Sequence, residues 1–234
     1  MNRGRSKGGN LQRERVLNEA AMIFWKKGYH SATMKDIAQA YGCQPANIYN
    51  FFPQKEAILY EILRSQIEDI LSSIKSLEED ETTSPTEQLR FFIAQHAGYA
   101  LRRKKTTKLI FDIGLDCLSP GRRKKFVTLR DTYDRILCKI IRRGINSGDF
   151  QEIDEKLAAY GIASMIMRVN IWFSPEGRLS PQEIIDFLCE FALRGLRGKG
   201  PKRGPIDRQK RGAAEGERSS KSPSKRPSKK LTKS

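Results

Sequence analysis

Between Thr33 and Glu56 the chain reads TMKDIAQAYGCQPANIYNFFPQKE, and few folds accept that order of residues. Thr33 can cap a helix, because its hydroxyl accepts from the backbone N–H groups of an opening turn. Met34, Ile37, Ala38 and Tyr41 then fall at helical spacing. Gly42 stands where that helix must stop, since glycine takes the left-handed C′ conformation without a Cβ clash. Pro45 suits the first turn of a second helix, where a missing N–H costs nothing. Ala46, Asn47, Ile48, Tyr49 and Asn50 complete that helix. Ile48 and Phe52 are expected to face inward, with Gln44, Ala46, Asn47 and Asn50 outward. Two short helices around a glycine turn, the second dressed with small polar side chains, form a helix-turn-helix. That motif places its second helix in the major groove of DNA.

The charge of the chain agrees with a polyanionic partner. Its 234 residues carry a net +17, which favours nucleic acid or an anionic membrane surface without choosing between them. A hydrophobic share of 38% supports a packed core. No run approaches ~18 consecutive apolar residues, so no transmembrane helix is expected. The opening MNRGRSKGGN has no apolar stretch of the kind a secretory signal needs. Cys43, Cys117, Cys138 and Cys189 are far apart and form no CxxC pair, so reduced thiols are expected rather than a zinc site. These features together point to a cytoplasmic chain without a membrane partner.

Helical patterns fill the rest. Residues 1–9 are a basic, glycine-rich arm expected to be disordered, or to reach DNA beside the motif. A support helix follows from Asn10, its cap, to Lys27, and Gly28 ends it. Phe24, Tyr29, Ile37, Ile48 and Phe52 suffice for a small core, giving a helix-turn-helix domain over residues 10–54. From Gln54 to about Leu77 a longer apolar stripe outruns that core and needs a second body to pack on. After the acidic break EEDETTSP, helices are expected from Ser84 to about Arg103, Thr107 to Cys117, Arg122 to about Asn146, Asp154 to Phe173 and Pro181 to Leu196. The last two are apolar on several sides, which points to a subunit interface: a four-helix bundle made by two chains. The expected fold is all-α, with a helical ligand-binding and dimerisation domain over residues 55–197. Residues 198–234 hold thirteen Lys and Arg against three Asp and Glu, so +10 of the net charge lies in a tail too polar to fold. Such a tail can neutralise DNA phosphates without reading sequence.

The first 50 or so residues, with the layout that follows, resemble the TetR family of bacterial transcriptional regulators. The matching features are Phe24, Gly28-Tyr29, Thr33, Asp36-Ile37-Ala38, Gly42, Ile48-Tyr49, Phe52 and Lys55-Glu56 ahead of Ile58-Leu59. The resemblance implies an all-α homodimer that binds a double-stranded, palindromic DNA operator and is released by a small-molecule effector. It implies that Tyr49 and Lys55 contact phosphates and that Thr33 caps the first motif helix and can touch the backbone; Lys35 beside it is a further DNA-binding candidate. Gln44, Pro45, Ala46 and Asn47 match base-reading positions, with Asn50 beside them. Gln44 stands where the family usually has a serine-like cap, which leaves the first residue of the recognition helix open. The side chains suit these roles: Gln and Asn can bond adenine bidentately, and Tyr49 and Lys55 offer a hydroxyl and a cation for positioning.

The segment IWFSPEGRLSPQEI, Ile171 to Ile184, resembles TetR regulators that respond to fatty-acyl or other acyl-CoA thioesters. Candidates to line an effector pocket are His96, Tyr99, Phe111, Cys117, Met165 and Trp172, an apolar set with few polar groups. The runs Arg102 to Lys105 and Arg122 to Lys125 are cationic enough to meet a CoA phosphate. No cofactor and no metal is expected. An enzyme finds little support: no Ser-His-Asp set, phosphate loop or carboxylate pair stands out. The alternative left open is an architectural DNA-binding protein of weak sequence preference.

Overall fold

The structure is a computed structural model that describes residues 3–102 and 115–198, with the side chains of 3–8 and 10 left aside. Within it, residues up to Gly198 form one compact unit. Among the described residues, eight α-helices run in order: α1 Arg3–Lys27, α2 Met34–Tyr41, α3 Pro45–Tyr49, α4 Lys55–Ile74, α5 Pro85–Arg102, α6 Pro120–Ser147, α7 Glu155–Trp172 and α8 Pro181–Arg197. Short 3-10 turns occupy Lys75–Glu78 and Leu115–Cys117. Among the described residues there is no strand, and no helix is long and apolar enough to cross a membrane. The all-α expectation holds.

Local chemistry sets the ends of these helices. Thr33 and Asp36 form a reciprocal capping box: the Asp36 N–H donates to Thr33 Oγ1 at 3.1 Å, and the Thr33 N–H to Asp36 Oδ2 at 2.9 Å. Gly42 ends α2 at φ 81°, the left-handed conformation its position required. Ser84 with Glu87 and Ser180 with Glu183 close the same box at α5 and α8. One start differs from expectation. Helix α1 begins at Arg3, not at Asn10, and so takes in most of the basic arm. No proline interrupts residues 3–9, so each added residue extends an existing ladder without a new nucleus. The helix expected from Thr107 lies mostly outside the described residues, and its end, Leu115–Cys117, is a single 3-10 turn. Of the basic tail, residues 199–234 lie outside the described residues.

Helices α1, α2 and α3 pack into the small three-helix unit read from the sequence. Phe24, Tyr29, Ile37, Ile48 and Phe52 are all buried in it, and Phe24 meets Tyr29 edge to face at 5.2 Å. Each such side chain contributes roughly 1.5–3 kcal/mol of burial. The core does not stop there. Through Ile58, Leu59 and Ile62 of α4 it continues into the larger bundle of α4 to α8, making one hydrophobic cluster from Val16 to Leu196. Helix α4 therefore belongs to both bodies, touching α1 on one side and α5 and α6 on the other. In the bundle, Gly144 of α6 lets the ring of Phe150 sit where a Cβ would stand, 2.1 Å from its nearest ring carbon.

Candidate functional site

The outer face of the helix-turn-helix is built from α3 and the start of α2. Helix α3 is only five residues long, and Ile48, wholly buried, anchors it. Pro45 opens the helix and Gln44 is its N-cap, which answers where the recognition helix starts. The Gln44 side chain makes no capping bond. Gln44, Ala46, Asn47, Tyr49 and Asn50 are exposed, and Pro45 is half-buried. Thr33 and Lys35 are exposed at the start of α2. Of the nine residues predicted to face DNA, seven are thus exposed, and Pro45 and Lys55 are half-buried.

Lys55 sits differently. Its Nζ donates to the carbonyls of Tyr29 at 2.7 Å, His30 at 3.1 Å and Ala32 at 2.7 Å, and lies 4.5 Å from the centre of the Tyr29 ring. An ammonium has three N–H donors, and here all three are used. Lys55 pins the turn between α1 and α2 to the first residue of α4. Nearby, Lys27 pairs with Asp36 at 2.6 Å, and this bond, with those from Thr33, holds the Asp36 carboxyl at a pKa of about 2.

A second link joins this end of the molecule to α6. Glu56 accepts from the Ser119 N–H and from Arg122 Nη1, both at 2.7 Å. Burial opposes ionisation of Glu56, but the Ser119 and Arg122 bonds outweigh it and keep its carboxyl below the usual range. Cys117 also lies at this junction, its Sγ 3.6 Å from Nε2 of His30.

Further along α6 lies a cavity of about 320 Å³. Four helices wall it: α4 with Ile67 and Ile70, α5 with His96 and Tyr99, α6 with Phe126, Arg130, Tyr133 and Asp134, and α7 with Tyr160, Ala163, Ser164 and Met167. Its buried polar anchor is a pair. Nδ1 of His96 and the Tyr133 hydroxyl share a 2.8 Å hydrogen bond, both side chains being at least 97% buried. Burial removes water from the imidazole and drops its pKa from 6.5 to about 4, so His96 is neutral at pH 7. Burial raises the Tyr133 phenol well above its ordinary value, and the charge of Asp134 adds to that. Burial also raises Asp134, against the pull of Arg130. The cavity therefore presents apolar walls, one neutral hydrogen-bonding pair and one cation beside a carboxyl. That chemistry suits an organic ligand with a polar head.

Of the six residues predicted for this pocket, the structure brings two together, His96 and Tyr99. Met165 lines a separate hollow between α7 and α8 with Gly161 and Phe191. The cause is helical phase: residues 160, 163, 164 and 167 share one face of α7, and 158, 161, 162 and 165 the other. Trp172 is 56% exposed. Cys117 is at the junction with the helix-turn-helix, away from the cavity. Phe111 lies outside the described residues. The α6 residues went unrecognised, although Phe126, Arg130, Tyr133 and Asp134 recur at three- and four-residue steps. A charged pair on the same stripe as two aromatic rings was the available signal. Among the described residues no group of His, Cys, Asp and Glu has the arrangement of a metal site.

Comparisons with known proteins fit both regions. Residues 16–62 match the family described as bacterial regulatory proteins, tetR family, and residues 82–196 match the tetracyclin repressor-like C-terminal domain. The solved TetR family transcriptional regulator PfmR from Thermus thermophilus is 35% identical, aligns over 78% of this chain and 98% of its own, and superposes with a TM-score of 0.70. The HTH-type transcriptional repressor KstR2 of Mycobacterium tuberculosis is 24% identical over 194 residues, 82% of this chain and 96% of that protein. The structure of AibR in complex with isovaleryl coenzyme A and operator DNA shares the fold at a TM-score of 0.70 and 20% identity, over 77% of this chain and 97% of AibR. With its helix-turn-helix and its helical body each matched in turn, this chain belongs to the TetR family of bacterial transcriptional regulators.

Proposed function

We propose that the chain is a repressor that binds a palindromic operator as a homodimer and is released by a small effector of the acyl-CoA class. Its family consists of regulators, not enzymes. The α3 surface supplies the reader: Gln44, Asn47 and Asn50 for base edges, Tyr49 for a phosphate, and Lys35 for the backbone, with Thr33 capping the helix that carries Lys35. Lys55 holds the turn that orients them. The dimer face is the exposed apolar row of α7 and α8, where Leu157, Phe187 and Phe191 are 60–69% exposed and the two phenylalanines stack at 5.8 Å. Two copies joined there would set recognition helices about 34–36 Å apart.

The observation that carries the effector reading is the cavity behind His96 and Tyr133. Its volume of about 320 Å³ accepts an acyl chain with its thioester but not a whole CoA, whose nucleotide must remain outside. Relatives point the same way, since AibR is seen with isovaleryl coenzyme A. Helix α6 lines the cavity and is tied through Arg122 and Ser119 to Glu56, beside the recognition helix. Helix α4 runs between the same two places. A ligand that prefers one setting of these helices over another shifts the spread of the dimer and with it operator affinity. Titrating acyl-CoAs of increasing chain length into the protein bound to its own promoter, read by fluorescence anisotropy, tests this. Release at concentrations where the ligand binds is the expected result. Saturation of the cavity without any loss of DNA refutes the scheme.

A further inference from the structure

A groove between α1 and α4 contains a side chain whose hydrogen bonding is unfilled. Gln66 is 4% exposed, and neither its Nε2 nor its Oε1 has a partner. Buried polar groups are nearly always paired, so such a carboxamide needs an explanation. The groove beside it holds about 140 Å³; its polar lining is Glu14 and Asn18 of α1, Ser65, Gln66 and Asp69 of α4, and Tyr99 of α5, and Leu17, Ala21 and Ile62 complete its walls. Glu14, Asn18, Ser65 and Asp69 are exposed, so the groove opens to solvent and closes on Gln66. Tyr99 lines both this groove and the effector cavity, and its hydroxyl donates to Asp69 at 3.2 Å. On α4, Ile67 and Ile70 border the cavity while Gln66 and Asp69 border the groove. An apolar chamber and a polar one thus meet at Tyr99.

The lining selects a chemistry. Glu14 and Asp69 accept hydrogen bonds and repel anions, so phosphate and carboxylate are poor occupants. Gln66 offers N–H donors and a carbonyl acceptor side by side, which a second amide matches bond for bond. With water taking about 30 Å³ per molecule, the groove has room for an amide and its flanking carbons.

We propose that Gln66 recognises a neutral amide of the effector, held between α1 and α4, while the effector's apolar part fills the cavity on the other side of Tyr99. The proposal rests on the reading of that cavity as the effector site. The pantetheine arm of an acyl-CoA carries two amides of this kind, and the two carboxylates keep its phosphates outside. An amide bound here touches α1 and α4 together. Its binding then depends on the spacing of those helices, the differential needed to alter DNA affinity.

The test compares wild-type protein with Gln66→Leu. Octanoyl-pantetheine, octanoyl-CoA and octanoate are titrated into both by calorimetry, and crystals of both are soaked in N-methylacetamide. The substitution should weaken octanoyl-pantetheine and octanoyl-CoA about tenfold and leave octanoate unchanged. Without ligand the variant should melt no lower than wild type, because an unpaired buried amide has been removed. N-methylacetamide should seat on Gln66 in wild-type crystals. Equal affinity of both proteins for octanoyl-pantetheine overturns the proposal, as does ordered water alone at Gln66 after soaking. A variant that melts well below wild type also overturns it, since Gln66 would then have a structural partner. If no octanoyl compound binds wild type while N-methylacetamide occupies Gln66, the amide site stands and the acyl-CoA reading of the cavity falls.

Discussion

The helix-turn-helix and the cavity are both candidate sites, yet they are assembled in opposite ways. The first lies on two short helices contiguous in sequence, with its working side chains pointing at solvent and one buried anchor, Ile48. The second draws on α4, α5, α6 and α7, and its polar members His96 and Tyr133 are 37 residues apart and buried against one another. A surface read by DNA needs only a local scaffold. A cavity needs several helices held in phase, so each of its residues also does packing work. Changes to the first should therefore alter function and spare stability, whereas changes to the second should disturb both.

Five substitutions sharpen or break that contrast. The largest effect is expected in the core of the small three-helix unit. Phe52 follows the recognition helix and is 1% exposed, so Phe52→Ala should cost about 3–5 kcal/mol in urea denaturation. A loss under 1 kcal/mol would mean that Phe52 does not anchor the small core as its burial implies. Next is the cavity pair. Tyr133→Phe removes the partner of His96 and should cost about 1–3 kcal/mol of stability together with effector affinity. Effector binding lost at unchanged stability would place Tyr133 with the surface residues instead.

The same pair makes a pH prediction. His96 has a folded pKa of about 4 against 6.5 when unperturbed, so between those values the unfolded chain binds more protons than the folded one. Its contribution is complete above about pH 6.5 and is lost as pH falls toward 4. Stability measured across that window should fall in wild type and fall less steeply in His96→Gln; identical slopes contradict a buried neutral imidazole.

Tyr49→Phe tests the other side. With Tyr49 52% exposed, the change should leave the melting temperature alone and weaken operator binding about tenfold. Smallest is Thr33→Ala, which strips a helix cap and should cost about 1 kcal/mol, with DNA affinity following only as α2 loosens. An affinity loss far beyond that stability change would show that the Thr33 hydroxyl touches DNA directly.

How far each region could be read in advance follows from the same contrast. Gly42, Pro45 and Thr33 act within one or two turns of themselves, so their conformations were legible from their neighbours alone. Lys55 was not, because its three carbonyl partners lie 23 to 26 residues away. Matched only by position, it looks like a phosphate ligand; in three dimensions it is a staple for the turn before the motif. In the cavity, His96 and Tyr99 were legible as members of an apolar set of pocket candidates with few polar groups. Met165 and Trp172 were not separable from them, since α7 is apolar on more than one side and periodicity does not say which side meets the cavity.

The sequence by itself determined that the chain is helical throughout its described length, where most helices begin and end, and that two of them form a DNA-reading motif. These follow from capping, glycine and proline geometry and the 3.6-residue period, all of which act locally. Only the tertiary structure decided that Tyr133 bonds His96 while Arg130 and Asp134 line the same cavity, that Glu56 is tied to α6, and that Gln66 lies unpaired beside a groove. Such pairings depend on the relative rotation and offset of helices packed side by side. That phase is set by the whole core at once, and no single stretch of residues carries it.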